Sequence, residues 1–422
     1  MSSECTVELE RIAHGGEAIG RWQGKVVFVP YAIPGERVRV RIAEEKRSYA
    51  RAELLEVLDA SPDRVEAPCP YFGRCGGCQW QHVSYQRQLD LRLEVVTDSL
   101  RRLGHVAEPP VAGIVPSDDA WLYRNNVQLH TTGEGQLGFV TIDGRTVMPI
   151  AKCLIAHELL DDMYASLDFA WRDLERLTLR AGASTGEQLV LLETRGEEAP
   201  ELEIDLPISF VHMSGEGKLT PLVGEPHIYE LVGERSYRIS APSFFQVNTA
   251  QAANLVEVVR EFCALQGGER VLDLYCGVGT LSLALAERAA EVVGVESSPW
   301  SAADADVNGA DVPSFSVLEG MAEEVLPRLE GPFQVLVVDP PRNGCGRAVL
   351  DGIVDLAPQR LVYVSCDPAT LARDTAYLAE RGLQLESMVA VDMFPQTAHV
   401  ETVAAFSTQR SAFSIQQVTS DA

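Results

Sequence analysis

Several apolar runs in the second half of this 422-residue chain stop abruptly at a polar residue, and each stop opens a turn leading into a helix-compatible segment. One begins at Arg270 and reaches the turn Gly277-Val-Gly279, one ends at Glu296, one covers 334–338 and one covers 361–364. Short runs of this kind, rich in β-branched residues and alternating with helical segments, suit a parallel sheet covered on both faces. From about Tyr237 onward the chain is therefore expected to form a doubly wound α/β sheet. Ligands of such sheets gather beyond the carboxyl ends of the strands, which is where Asp273, Glu296, Asp339 and Cys366 fall, so these four are expected to line one crevice.

Cys366 closes the last of these runs. Asp367 and Pro368 after it are a helix start, with an N-cap acceptor and a proline suited to the first helical position. A helix amino terminus beside the thiol is expected to lower its pKa and favour the thiolate. Taken alone, the stretch serves a nucleophile or a packed buried cysteine equally well.

The segment from Asp273 to Thr280 carries glycines at 277 and 279, with an acidic residue 19 positions after Gly277, at Glu296, placed to meet ribose hydroxyls. Ser282 stands where a dinucleotide fingerprint has its third glycine. Asp273 directly precedes the loop, where a carboxylate is unwelcome beside pyrophosphate but acceptable near a sulfonium or amine. The expected ligand is S-adenosylmethionine. Asp339-Pro-Pro-Arg342 ends the next strand. Amino-group methyltransferases often place an aromatic where this chain has Arg342, which weakens that reading.

The first 60 residues read as a small β module, with strands at 6–9, 25–29, 37–42 and 52–58. Arg37, Arg39 and Arg41 alternate with Val38, Val40 and Ile42, which puts the guanidinium groups on one face, where they are expected to meet phosphate. The module holds nine basic and ten acidic residues, while the whole chain carries a net charge of −26, so nucleic-acid contact must come from local patches. Next, Cys69, Cys75 and Cys78 lie on a glycine-rich loop with the spacing of a metal or iron–sulfur site that lacks its fourth ligand. Spacing does not choose among Cys153, Cys5 and Cys263 for that place. The spacing also departs from that of radical enzymes that bind a cluster and S-adenosylmethionine. Residues 84–104 predict a structural helix with Leu89, Leu93, Val96, Leu100 and Leu103 on one face and Gly104 as its stop, and 157–177 predict another.

No run approaches the length of a membrane span, and the first residues lack the pattern of a signal peptide, so a cytoplasmic protein without membrane contact is expected. The expected division is 1–60, 61–235, 236–410 and a polar tail over 411–422.

Four motifs in order, Ser243-Phe-Phe-Gln246-Val-Asn248, Asp273 to Gly279, Asp339-Pro-Pro-Arg342, and Ser365-Cys-Asp-Pro-Ala-Thr370 with His399-Val-Glu401-Thr402, resemble the RNA uracil-C5 methyltransferases. With the cysteine loop and the amino-terminal module, which resembles a TRAM domain, the likeness is greatest to those that act on 23S ribosomal RNA and carry an iron–sulfur cluster. The resemblance implies a class I, Rossmann-like S-adenosylmethionine-dependent catalytic domain of α/β class, an OB-like TRAM barrel that binds RNA, and a central α+β domain bearing the cluster. It implies Cys366 as nucleophile and Glu401 as base. It also implies Gln246, Tyr275, Thr280, Glu296, Gly320 and Asp339 as cofactor-binding residues, and Cys69, Cys75, Cys78 and Cys153 as ligands of a [4Fe–4S] cluster. Asn126 departs from the basic residue that relatives often carry. The expected partner is RNA, ribosomal before transfer RNA, for a monomeric enzyme. Cys5, Cys263, Cys276 and Cys345 are expected to be structural.

Overall fold

The computed structural model describes residues 3–132, 135–167, 173–202 and 206–408, and the expected tail lies outside them. Five strands close a barrel: β1 (Glu4–Ile12), β2 (Ala18–Trp22), β3 (Lys25–Val29), β4 (Arg37–Glu45) and β5 (Tyr49–Asp59), in the order β1-β2-β3-β5-β4. β2 was not expected from the alternation, because its glycine interrupts the pattern. That glycine is needed, since a Cβ on Gly20 would fall 2.4 Å from Glu8 O.

Val38, Val40 and Ile42 are buried, and Arg37, Arg39 and Arg41 share the opposite face of β4, as the alternation requires. Each of these guanidinium groups also meets a carboxylate, which competes with the expected phosphate. Arg37 meets Asp59 at 2.6 Å, Arg39 meets Glu56 at 2.8 Å and Glu4 at 3.3 Å, and Arg41 meets Glu53 at 3.1 Å and Glu4 at 3.3 Å. Neighbouring strands β1 and β5 supply these carboxylates at cross-strand positions. Changing all three arginines to glutamine should therefore reduce the slope of log affinity for RNA against log salt by less than one. Free phosphate contacts would each remove about 0.9, and a loss near three in a salt titration would restore the phosphate-binding role.

The chain then forms α1 (Tyr85–Arg102) and β6 (Val111–Val115). Ser84 precedes the helix, and Gly104 closes it by donating to Ser99 O. A central seven-stranded sheet follows. It is built from β7 (Asn126–Thr131), β8 (Leu137–Val140), β9 (Val147–Met148), β10 (Leu174–Ala181), β11 (Gln188–Thr194), β12 (Ser209–Met213) and β13 (Leu219–Val223), with α2 (Glu158–Ser166) between β9 and β10. The helix expected over 157–177 is thus cut short. Its last part, Leu-Glu-Arg-Leu-Thr-Leu, alternates and pairs with both β7 and β11, so tertiary pairing overrides local helical spacing. β14 (His227–Val232) and β15 (Arg235–Ser240) form a hairpin.

The third layer runs α3 (Thr249–Cys263), β16 (Arg270–Leu274), α4 (Thr280–Ala286), β17 (Glu291–Glu296), α5 (Pro299–Asn308), β18 (Phe315–Glu319) and α6 (Ala322–Val325). It continues through β19 (Val335–Val338), α7 (Arg347–Asp355), β20 (Arg360–Ser365), α8 (Pro368–Ala379), β21 (Gln384–Val391) and β22 (Glu401–Ser407). Its sheet has eight strands in the order β18-β17-β16-β19-β20-β22-β21-β6. The expected parallel sheet holds from β18 to β20, but β22 is antiparallel to both its neighbours. No crossover helix joins β21 to β22, and a strand that returns without one must run antiparallel. β6 joins this sheet beside β21, so residues ahead of the central sheet help build the third layer.

α1 is buried from two sides. Leu91 and Val95 enter the apolar core of the barrel with Trp80 and Val83, while Val96 and Leu100 enter the core of the third layer. Leu103, expected on the apolar face, is exposed. Between the two faces Gln88 and Arg92 turn polar groups inward. Gln88 Nε2 donates to Trp80 O, Val83 O and Gln396 Oε1, and Gln88 Oε1 accepts from Gln396 N. Arg92 is 0% exposed, donates to the carbonyls of His399, Phe394 and Thr397, lies 3.2 Å from Asp392 and stacks on Trp80. The segment between β21 and β22 is thereby fixed along most of its length.

Candidate active site

Strand order brings together residues far apart in sequence. Ser365 pairs with Thr402 across β20 and β22, and Thr402 Oγ1 donates to Ser365 O at 2.9 Å, so the next residues, Cys366 and Glu401, face one another at the strand ends. Asp339 follows β19 on the other side of β20, and its N–H donates to Leu274 O at 3.3 Å. Cys366 is half-buried and Glu401 is only 3% exposed, with its Oε1 unpartnered.

The electrostatics correct one expectation. The thiol of Cys366 is not held as a thiolate; burial, with Glu401 and Asp339 nearby, pushes it up to about 12, against the opposing pull of Arg342. Burial and Asp339 likewise hold Glu401 well above the usual carboxylate range, and burial raises Asp339. The expected helix start is present, with the Asp367 side chain accepting from Ala369 N and Thr370 N and Pro368 in the first turn. Its partial positive charge is outweighed by desolvation and two neighbouring carboxyls. Arg342 is the exposed cation that acts on both the thiol and Glu401.

Beside this group lies a pocket lined by Phe244, Phe245, Gln246, Tyr275, Thr280 and Asp339, with Gly277 in its floor. Tyr275 has φ +66°, an uncommon conformation for a bulky residue, which turns the chain at the end of β16. Glu296 and Gly320 do not line that pocket. Glu296 instead ties the glycine loop to the end of β17, its carboxylate accepting from Gly277 N at 2.9 Å and Ser298 N at 2.7 Å, while its carbonyl accepts from Gly320 N. Asp273 also lies elsewhere than expected. It is 0% exposed, accepts from Ser282 Oγ at 2.5 Å and is pushed by burial up to about 7. Its place is under the loop, where Ser282 replaces a glycine with a hydrogen-bond donor.

Two elements hold the wall formed by 243–248. Asn125 donates from Nδ2 to Gln246 O and Thr249 Oγ1, and Asn248 caps α3 by accepting from Gln251 N. Tyr123 OH reaches Pro395 O, so the Tyr-Arg-Asn-Asn stretch joins the central sheet to the segment before Glu401. Arg124 Nε donates to Asn126 O.

The cysteine loop folds onto the central sheet. Gly76 N donates to Val140 O, and Tyr71 OH accepts from Ala151 N, close to Cys153. Cys69, Cys75, Cys78 and Cys153 line one cavity of about 350 Å³ with Phe72, Phe139 and Ile150. Burial and the other three cysteines push the Cys78 thiol up to about 12. Cys5 lies in β1 and Cys263 at the end of α3, away from this cavity. Among the described residues, no three His, Cys, Asp or Glu side chains converge as a metal-ion site.

A glycine loop and an aromatic-walled pocket at the ends of parallel strands, beside a thiol and a carboxyl, define a Rossmann-like methyltransferase. The family model for tRNA (Uracil-5-)-methyltransferase matches residues 231–408 and that for the TRAM domain matches 2–55. An uncharacterized RNA methyltransferase of Thermosynechococcus vestitus is 40% identical, over 96% of this chain and 98% of its own length. Another, from Halalkalibacterium halodurans, is 37% identical over 94% and 95%. The solved tRNA (uracil-54, C5)-methyltransferase of Pyrococcus abyssi, in complex with S-adenosyl-L-homocysteine, is 28% identical with a TM-score of 0.72, covering 96% of this chain and all of that one. The chain belongs to the RNA (uracil-5-)-methyltransferase family, in a form that carries a TRAM domain.

The residues that hold the site, Gln88, Arg92 and Gln396, were not singled out from sequence. A signal existed: Arg92 stands three residues after Leu89 and four before Val96 on an apolar helix face, where a charge needs a partner.

Proposed function

We propose that this enzyme methylates carbon 5 of a uridine in RNA through a covalent bond from Cys366 to carbon 6, resolved by Glu401 as base. The facing positions of Cys366 and Glu401 across the β20–β22 ladder, beside Asp339, carry this reading. Carbon 5 of uracil is a poor nucleophile. Addition of the Cys366 sulfur at carbon 6 breaks the C5–C6 π bond and places its electron pair in an enolate reactive at carbon 5. S-adenosylmethionine is the methyl donor; its methyl group passes to carbon 5 and its sulfur keeps the C–S bonding pair. Glu401 then takes the carbon 5 proton, the ring double bond re-forms, and the Cys366 sulfur leaves with its electron pair. Burial shifts both groups toward their protonated forms in the free protein, and each must be ionised when it acts. Arg342 favours both charged forms, and a cationic sulfonium beside Asp339 favours them further. Gln246, Tyr275, Thr280 and Asp339 are assigned to S-adenosylmethionine, with Glu296 and Gly320 beside them at the ends of β17 and β18. The target base must leave its stack to reach the half-buried thiol.

Ribosomal RNA is the proposed substrate, on the strength of the TRAM barrel joined to the cysteine loop. The full-length likeness to a tRNA-modifying enzyme favours transfer RNA as the second reading. Mass-spectrometric mapping of 5-methyluridine in both RNAs from a strain lacking the protein decides between them. Loss of a 5-methyluridine from neither RNA removes the proposal.

Cys69, Cys75, Cys78 and Cys153 are proposed to hold a [4Fe–4S] cluster. Four thiols lining one cavity supply the number and kind of donors that such a cluster takes. Such a cluster would tie the loop to the central sheet and relieve the mutual opposition of the thiolates. Protein purified without oxygen should contain iron and sulfide in near-equal amounts and lose both on Cys78→Ser. Stoichiometric zinc with no iron would remove the assignment.

A further inference from the structure

The barrel reaches the catalytic layer at a point the reaction scheme does not use. In the β1–β2 turn, Gly16 O accepts from Trp80 Nε1 at 3.1 Å, and a Cβ on Gly16 would fall 2.6 Å from Ala398 Cβ. Only glycine permits so close an approach. The adjoining His14 is thereby carried to the start of α8, its Nε2 3.3 Å from Asp367 Oδ2. Asp367 Oδ1 accepts from Ala369 N at 3.0 Å and Thr370 N at 2.8 Å. One carboxylate therefore caps α8 and receives the barrel, and its residue is joined by a peptide bond to Cys366.

We propose that His14 is a positioning residue for the thiol chemistry: through Asp367, the RNA-binding barrel sets where Cys366 stands at the start of α8. This rests on the reading of Cys366 as nucleophile. The contact lies at the surface, with the His14 side chain 47% and the Asp367 side chain 22% exposed, so its support comes from the geometry that ties the barrel turn to the cap of α8. The hydrogen bond to Asp367 raises His14 against the opposing effect of burial, and His14 with the two amides brings Asp367 down to about 2, again against burial. His399 lies near enough to feel the charge of His14; burial, then Arg342, Arg124, His14 and Arg92, hold it down at about 4. The bridge is complete below the raised pKa of His14 and fades as pH rises through it.

The test uses the full chain, S-adenosylmethionine and RNA carrying 5-fluorouridine at the target, which arrests the methylated adduct because fluorine cannot leave carbon 5 as a proton does. At saturating RNA and pH 6.5, His14→Ala should slow adduct formation about tenfold, the size of one charge-assisted hydrogen bond, with RNA affinity changed less than about twofold. His14→Lys, which keeps the charge, should recover most of the rate and should lack the His14 step in the pH profile. Without RNA, alkylation of Cys366 by iodoacetamide, followed by peptide mass spectrometry, should change more than about threefold in His14→Ala and little in His14→Lys. Wild-type adduct and alkylation rates in His14→Ala overturn the proposal, as does a loss of RNA affinity with the rate at saturation intact. Absence of any adduct in the wild type, with Cys366→Ala still methylating RNA, sinks instead the thiol reading on which it rests.

Discussion

Glu401→Gln protein mixed with substrate RNA and methyl-labelled S-adenosylmethionine should accumulate as a slow, labelled band on a denaturing gel, while Cys366→Ala gives no such band. In the proposed scheme the two groups act on opposite sides of one intermediate: Cys366 makes the bond that the later loss of the carbon 5 proton must break. Glutamine keeps the shape of the side chain but has no basic oxygen to take that proton. Turnover should fall by at least about a hundredfold, the lower range for a general base. The substitution should be mild for folding, because glutamine fills the same buried space and brings no charge. In the wild type, adduct formation at saturating RNA should accelerate as pH rises above neutrality, since the Cys366 thiol must first ionise from a position near 12; the fading of the His14 bridge limits that rise. Methyl transfer by Glu401→Gln at the normal turnover rate, with no trapped band, would assign the base to another group.

The second large effect concerns a residue that touches neither substrate nor thiol. Arg92→Ala should cost about 3–5 kcal/mol of stability, because it leaves Asp392 buried without its partner and strips donors from three carbonyls of the segment before Glu401. Arg92→Met, which keeps the packing on Trp80, should recover little, since Asp392 is left with Tyr85 OH alone and the carbonyls of Thr397 and His399 lose their donor. Denaturant unfolding checks the magnitude. A loss below about 1 kcal/mol would mean that water reaches Asp392 and replaces the guanidinium.

What could be read from sequence follows physical range. The alternating runs that end at Asp339 and Cys366 are local, and they suffice for the catalytic layer and for the helix start at Asp367. The direction of β22 was not legible, because its place between β20 and β21 depends on the course of 392–400, which Arg92 and Gln88 dictate from another element. The arginines of β4 were correctly set on one face, yet their partners on β1 and β5 depend on barrel register, which a single strand does not encode. The Cys366 thiol misled for the same reason. A helix start is a local feature, whereas the carboxyls of Glu401 and Asp339 arrive from strands on either side.

The late entry of β22 has a consequence for the growing polypeptide. Translation delivers the thiol, the glycine loop and the whole cofactor pocket before Glu401, and β21 cannot take its final place until β22 fills the gap beside β20. A nascent chain halted at residue 400 would hold a cysteine with neither its facing carboxyl nor the strand that separates two halves of the sheet, and β6, which docks on β21, would wait as well. Elongation at about 5–20 residues per second leaves many seconds in which the earlier layers fold around that gap. Assembly of the reactive centre is thus deferred until one of the last described segments emerges, and a product truncated before β22 lacks both the strand and the carboxyl that complete it.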